Sequence, residues 1–139
     1  MWCNWSGSSF CQTETDIQLA QYYYTNGDFE KAIIYYEKLY AKDPSKQLFL
    51  RYVECLSQVK QFKTAEKIYK RQINSNRQDL DLKVSFGQFY EDLGEAEKAT
   101  DIYAGLIKNL PPSPTIIVEL YRSFISKKKL DLALECLKK

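Results

Sequence analysis

Glu91 and Asp92 stand side by side and invite a reading as a general acid–base pair. Consecutive helical positions diverge by about 100°, so two neighbouring carboxylates on a helix do not converge on one proton. The rest of the catalytic inventory is thin. The 139 residues contain no histidine, no glycine-rich phosphate loop and no nucleophile motif, so an enzyme is not expected. Cys3, Cys11, Cys55 and Cys136 form no C-x-x-C pair, and without histidine they do not assemble a zinc site of the usual kinds. No metal or other cofactor is expected. Cys55 and Cys136 follow the apolar spacing and read as small buried hydrophobes. Cys3 and Cys11 would pair only in an oxidising compartment.

Charge gives a second kind of chemistry. The net charge of +2 is too small to demand nucleic acid or an anionic membrane as partner. Locally the balance is uneven: Lys60 to Arg77 carries a net +5, and Asp79 to Asp101 a net −5. These segments read either as solvated outer faces that help neighbours stack or as a surface for a partner of complementary charge.

The elements that must carry these residues follow from a period. Ala32, Ala65, Ala99 and Ala133 recur at spacings of 33, 34 and 34 residues, each followed four places later by Tyr36, Tyr69, Tyr103 or Leu137. A fixed period of this length predicts one helical hairpin copied and stacked, each copy burying its apolar face on its neighbours. Within each first helix apolar residues recur at helical steps: Leu19 and Tyr23, Tyr52 and Leu56, Phe86 and Tyr90, Leu120 and Phe124. Two helices of about 14 residues then fit each repeat. Tyr23, Tyr36, Tyr69, Tyr90 and Tyr103 are assigned to the core by the same periodicity. Gly27 and Gly94 stand where a helix must reverse, and Asp28 is placed to cap the helix that follows. Thr15 with Gln18 has capping-box spacing, and Ser113-Pro114 reads as a cap plus first helical residue, so both mark starts of first helices.

The run Asn26-Gly27-Asp28-Phe29-Glu30-Lys31-Ala32, continued through Tyr35, Tyr36 and Asp43-Pro44, resembles the tetratricopeptide repeat. Gly94, Ala96, Ala99, Tyr103 and Pro111 repeat the pattern more loosely. The resemblance implies an all-α, right-handed solenoid of stacked antiparallel helix pairs, with residues 1–12 a non-repeat tail and 13–139 a repeat domain of about three and a half copies. The copies fall at about 13–45, 46–79, 80–113 and 114–139, the last truncated. Where the family keeps a small residue at position 8, this chain has Ala20, Val53, Gly87 and Tyr121; the second and fourth are large and put close helix packing there in question.

The same resemblance implies a protein-interaction scaffold with a concave groove lined by the first helices. By register the groove residues are Gln18, Gln21 and Tyr24 in the first copy, and Arg51, Glu54 and Gln58 in the second. The third copy contributes Ser85, Gln88 and Glu91, and the fourth Glu119 and Arg122. The partner expected is a peptide or helix of another protein, with neither nucleic acid nor direct membrane insertion. The family's clamp for a C-terminal carboxylate needs cations and an asparagine where this chain has Ile17, Gln21, Val84 and Gln88, so that partner class is disfavoured. A base-reading RNA repeat code is disfavoured by the 33- and 34-residue spacings and the acidic third copy.

The ends suggest two alternatives. Leu130, Leu132, Ala133, Leu134 and Leu137 continue an apolar pattern with no closing helix, which is expected of a piece of a longer array or of self-assembly through uncapped ends; the other alternative is a sensor or docking segment of a longer bacterial exported or signalling protein. Residues 1–9 lack the basic start and apolar run of an intact signal peptide, while Ser9-Phe10-Cys11-Gln12 resembles the cleavage region of some exported bacterial proteins. The compartment expected is cytoplasmic, or exported or periplasmic if residues 1–12 are the remnant of a signal peptide.

Overall fold

The computed structural model describes residues 8–139, with side chains described from residue 10. Eight helices and no strand occupy the described residues: α1 (Ser8–Thr25), α2 (Phe29–Lys42), α3 (Lys46–Gln58), α4 (Phe62–Ser75), α5 (Leu80–Asp92), α6 (Ala96–Lys108), α7 (Pro114–Ser126) and α8 (Leu130–Cys136). They form two compact units divided within α4, one up to Gln72 and the other Ile73–Lys139.

Local chemistry explains the boundaries. Asp28, Ser45 and Asp79 accept the backbone N–H of Lys31, Leu48 and Leu82 at 3.5, 3.4 and 2.9 Å, satisfying donors that the first helical turn leaves open. Ser113 occupies the cap of α7 with Pro114 at its first position, as the sequence predicts.

The four hairpins turn by one device. The N–H groups of Asp28, Gln61, Glu95 and Lys129 donate to the carbonyls of Tyr23, Leu56, Tyr90 and Phe124 at 2.8–2.9 Å, five residues back. This bond requires a left-handed residue just before the donor. Gly27 and Gly94 supply it at φ 74° and 78°. Lys60 and Lys128 supply it at φ 61° and 60°, although a side chain there is strained.

One expected start is corrected. Thr15 caps nothing; it lies inside α1, where its Oγ1 donates to the Cys11 carbonyl at 2.9 Å, and the helix begins at Ser8. Residues 8–12 are therefore helical. Helical bonding through Cys11–Thr15 outcompetes the Thr15–Gln18 box, whose pattern alone does not break a helix already running. Cys3, and with it the Cys3–Cys11 pairing, lies outside the described residues. Cys11 is exposed, whereas Cys55 and Cys136 are buried.

Within the first unit Ala32 and Ala65 are fully buried, and Phe49 meets the Tyr69 ring edge-on at 5.0 Å. Tyr40 Oη donates to Gln72 Oε1 at 2.6 Å, and Gln72 Nε2 donates to the Pro44 carbonyl at 3.1 Å, so α2, α4 and the α2–α3 link share one buried polar chain. Val53 fits after all, being buried on α3.

Within the second unit Ala99 and Ala133 are buried, and Tyr103 packs edge-on against Phe124 at 5.6 Å. A Cβ at Gly87 would overlap the Tyr103 ring, which is the physical reason for a glycine there. Ser123 Oγ donates to Asp81 Oδ1 at 2.8 Å and ties α7 to α5. Tyr36, Tyr69, Tyr90 and Tyr103 are buried as expected. Tyr23 is not: it sits half-exposed, stacked on Tyr35 at 5.7 Å.

Candidate partner-binding surfaces

In the first unit α1 and α3 flank a groove of about 480 Å³. Ile17, Gln21, Tyr24 and Thr25 form the α1 wall, and Gln47, Leu48 and Arg51 the α3 wall. Tyr36 and Leu39 of α2 supply apolar floor, and Asp43 and Ser45 of the α2–α3 link complete the lining.

Arg51 is the organising residue. Its guanidinium lies over the Tyr24 ring at 4.5 Å, its Nη1 donates to Tyr24 Oη, and the same nitrogen pairs with Glu54 Oε2 at 3.4 Å. Stacking plus two hydrogen-bond partners fixes a side chain that would otherwise lose much rotamer freedom on binding. The neighbouring Glu54 carboxylate, then burial, raises the Tyr24 phenol above its ordinary range, so its hydroxyl stays protonated at neutral pH. Gln21 and Arg51 are exposed and Tyr24 half-buried, which leaves amide, guanidinium and ring edge open to a ligand.

Of the register-derived residues in this unit, Gln21, Tyr24 and Arg51 line the groove. Glu54 reaches it through Arg51, while Gln18 and Gln58 are exposed outside its lining. Register reasoning counted only the first helices and so missed Tyr36, Leu39, Asp43 and Ser45, and its chosen positions on those helices also passed over Ile17, Thr25, Gln47 and Leu48.

The second unit distributes its residues differently. Glu119 and Arg122 share a depression of about 560 Å³ on α7 with Pro114, Thr115 and Val118. Glu91 on α5 instead accepts from Nζ of Lys129, a residue of the α7–α8 turn, and Lys129 also lies over the Tyr103 ring at 5.1 Å. Both residues line a smaller pocket of about 290 Å³ with Lys128, Leu130, Asp131 and Leu132. Gln88 Nε2 donates to Asp92 Oδ1 at 2.8 Å, and Ser85 is half-buried outside both depressions. Val84 is fully buried, so that place of the carboxylate clamp cannot face a ligand.

Glu91 and Asp92 thus have separate partners. Burial, followed by their carboxylates, pushes the Tyr103 phenol upward. Burial, then Glu54, pushes the Cys55 thiol up to about 11, which keeps it protonated and unreactive at neutral pH. Among the described residues no helix is long and apolar enough to cross a membrane.

Residues 11–124 match the sequence family described as the PRP39 C-terminal HAT repeat. No curated protein matches the chain in sequence. Among solved structures, the crystal structure of MamA is 22% identical with a TM-score of 0.54, covering 91% of this chain and 74% of MamA. A second MamA structure, of AMB-1, is 16% identical with a TM-score of 0.52, over 91% and 69% of the two chains. YrrB, described as a TPR protein with an unusual peptide-binding site, is 19% identical with a TM-score of 0.51, over 91% of this chain and 66% of its own. At these identities the likeness is one of fold: an all-α helical-repeat solenoid of the tetratricopeptide type.

Proposed function

The chain belongs to the PRP39 C-terminal HAT repeat family, a TPR-like class of helical repeat, and from that premise we propose that it is a non-enzymatic scaffold that holds an extended peptide of a partner protein in the α1–α3 groove. The observation that carries this reading is Arg51 fixed on Tyr24 beside an open, half-apolar trough. An extended peptide presents unpaired backbone amides and carbonyls, which Gln21 and Gln47 suit as neutral donors and acceptors. Its side chains would rest on Leu39, Leu48 and Ile17. YrrB, of the same fold, is described as having a peptide-binding site, which supports the class of ligand.

The test is selection of binders from a displayed random-peptide library, followed by titration of a selected peptide against the chain and its Arg51→Ala and Tyr24→Ala variants. Affinity is expected to fall at least tenfold in each, with the melting temperature within a few degrees of the parent. Equal affinity in all three chains would move the site off this groove.

A second reading, docking or self-association through α8, rests on Leu130, Leu134 and Leu137, which are 57%, 46% and 56% exposed. The compartment in which either role would be exercised is cytoplasmic or periplasmic in this proposal.

A further inference from the structure

Two charged faces lie outside the groove. Lys60, Lys63, Lys67 and Lys70 follow one another at three- and four-residue steps along α4 and the turn before it, and Arg71 stands four residues after Lys67, which places them on one side of the helix, and all five are exposed. Lys70 pairs with Glu66, and Arg71 lies over Tyr40 at 5.6 Å. The ammonium groups of Lys60, Lys63 and Lys67 have no partner among the described residues. The second unit carries the opposite sign around the start of α6, where Asp92, Glu95, Glu97 and Asp101 are exposed. Asp92 is held by Gln88 and Glu95 by Lys98, whereas Glu97 and Asp101, one turn apart, have no partner among the described residues.

We propose that the basic face of α4 in one copy of this chain docks on the acidic face of α6 in a second copy. The match is one of spacing as well as sign. Lys63 and Lys67 are four residues apart on one helix, and so are Glu97 and Asp101 on the other, giving two pairs whose Cβ atoms are each about 5–6 Å apart. Of the two aromatic residues of α4, Tyr69 is buried and Phe62 is half-buried and turned about 100° around the helix from Lys63, so neither stands among the lysines as a platform for stacking bases, which favours a protein anion over a single-stranded nucleic acid. Exposed ion pairs contribute little one by one, so the contact is weak, cooperative over several charges and strongly screened. The two faces are different patches, so the contact is heterologous, and each added copy leaves one face of each sign open.

Sedimentation velocity of the full chain in about 20 mM and about 300 mM salt, with the Debye length falling severalfold between them, reads this directly. At low salt the average mass should rise with protein concentration to at least double that of the monomer, and at high salt it should return to the monomer. Lys63→Ala/Lys67→Ala and Glu97→Ala/Asp101→Ala chains should each stay monomeric at low salt, with unchanged helical circular dichroism. Mixed together they retain one intact face of each sign, so they should form one-to-one dimers that grow no further. A parent chain that stays monomeric at low salt overturns the proposal. So does assembly that survives either double variant or high salt, which would place the contact on the α8 leucines, or low-salt complexes that vanish on nuclease treatment.

Discussion

In the first unit the polar groups that join the hairpins are buried beneath them: Tyr40 donates to Gln72, and Gln72 to the Pro44 carbonyl. The exposed face of α1 and α3 is left to Tyr24, Arg51 and the glutamines. In the second unit one tie is made from the first-helix surface itself. Glu91 is taken by Lys129, whose side chain is only 13% exposed, and the residues that the register assigns to binding are divided between separate depressions. A carboxylate used to hold a turn onto a helix is no longer offered to a partner. Equivalent repeat positions therefore have different uses, decided by what the next hairpin's turn brings to them.

The comparison can be broken first at the level of packing. Phe49 and Phe124 are both fully buried, and each change to alanine should cost about 3–5 kcal/mol by the usual transfer and cavity terms. Thermal or denaturant melts should show similar losses, because the hydrophobic contribution does not distinguish the units. Ala99→Leu forces a larger side chain into a fully packed site and should cost about 1–3 kcal/mol. An unchanged melt would show that this alanine does not sit at a close helix contact.

Smaller effects separate the polar ties. Gln72→Leu leaves the Tyr40 hydroxyl buried without its acceptor, at a cost of about 1–3 kcal/mol. Lys129→Met should destabilise less, since the stranded Glu91 carboxylate is about one-third exposed and can turn to water. Urea midpoints of the two variants measure the difference.

The turns give the smallest shifts, of opposite sign. Lys60→Gly and Lys128→Gly relieve a left-handed side-chain residue and should each stabilise by up to about 1 kcal/mol, whereas Gly27→Ala and Gly94→Ala should each destabilise by a similar amount. Thiol reactivity adds a check without energetics: a disulfide reagent at pH 8 should modify Cys11 and spare Cys55 and Cys136 until the chain is unfolded.

These particulars show which features a sequence carries openly. The alanines were legible because a small residue at a close helix contact recurs at a fixed period, and all four are buried. Gly27 and Gly94 were legible because glycine is the residue that enters the left-handed region freely. Lys60 and Lys128 were hidden by their residue type, yet they stand 33 and 34 residues after those glycines, so the period itself held the signal. Thr15 misled because a capping box has the same residues whether or not a helix precedes it. In the candidate site, Gln21, Tyr24 and Arg51 were found by register, but the floor from Tyr36 and Leu39 was not, because the core positions of α2 also form the bottom of the trough. The Glu91–Lys129 tie spans 38 residues and depends on a turn conformation that no local pattern announces.

The direct test of the binding claim is a residue-resolved NMR titration of the isotope-labelled chain with a library-selected peptide. The α1–α3 groove predicts saturable shifts concentrated at Gln21, Tyr24, Gln47 and Arg51. Shifts confined to the outer face of α4, to α7 or to the leucines of α8, with those four residues unmoved, would contradict it.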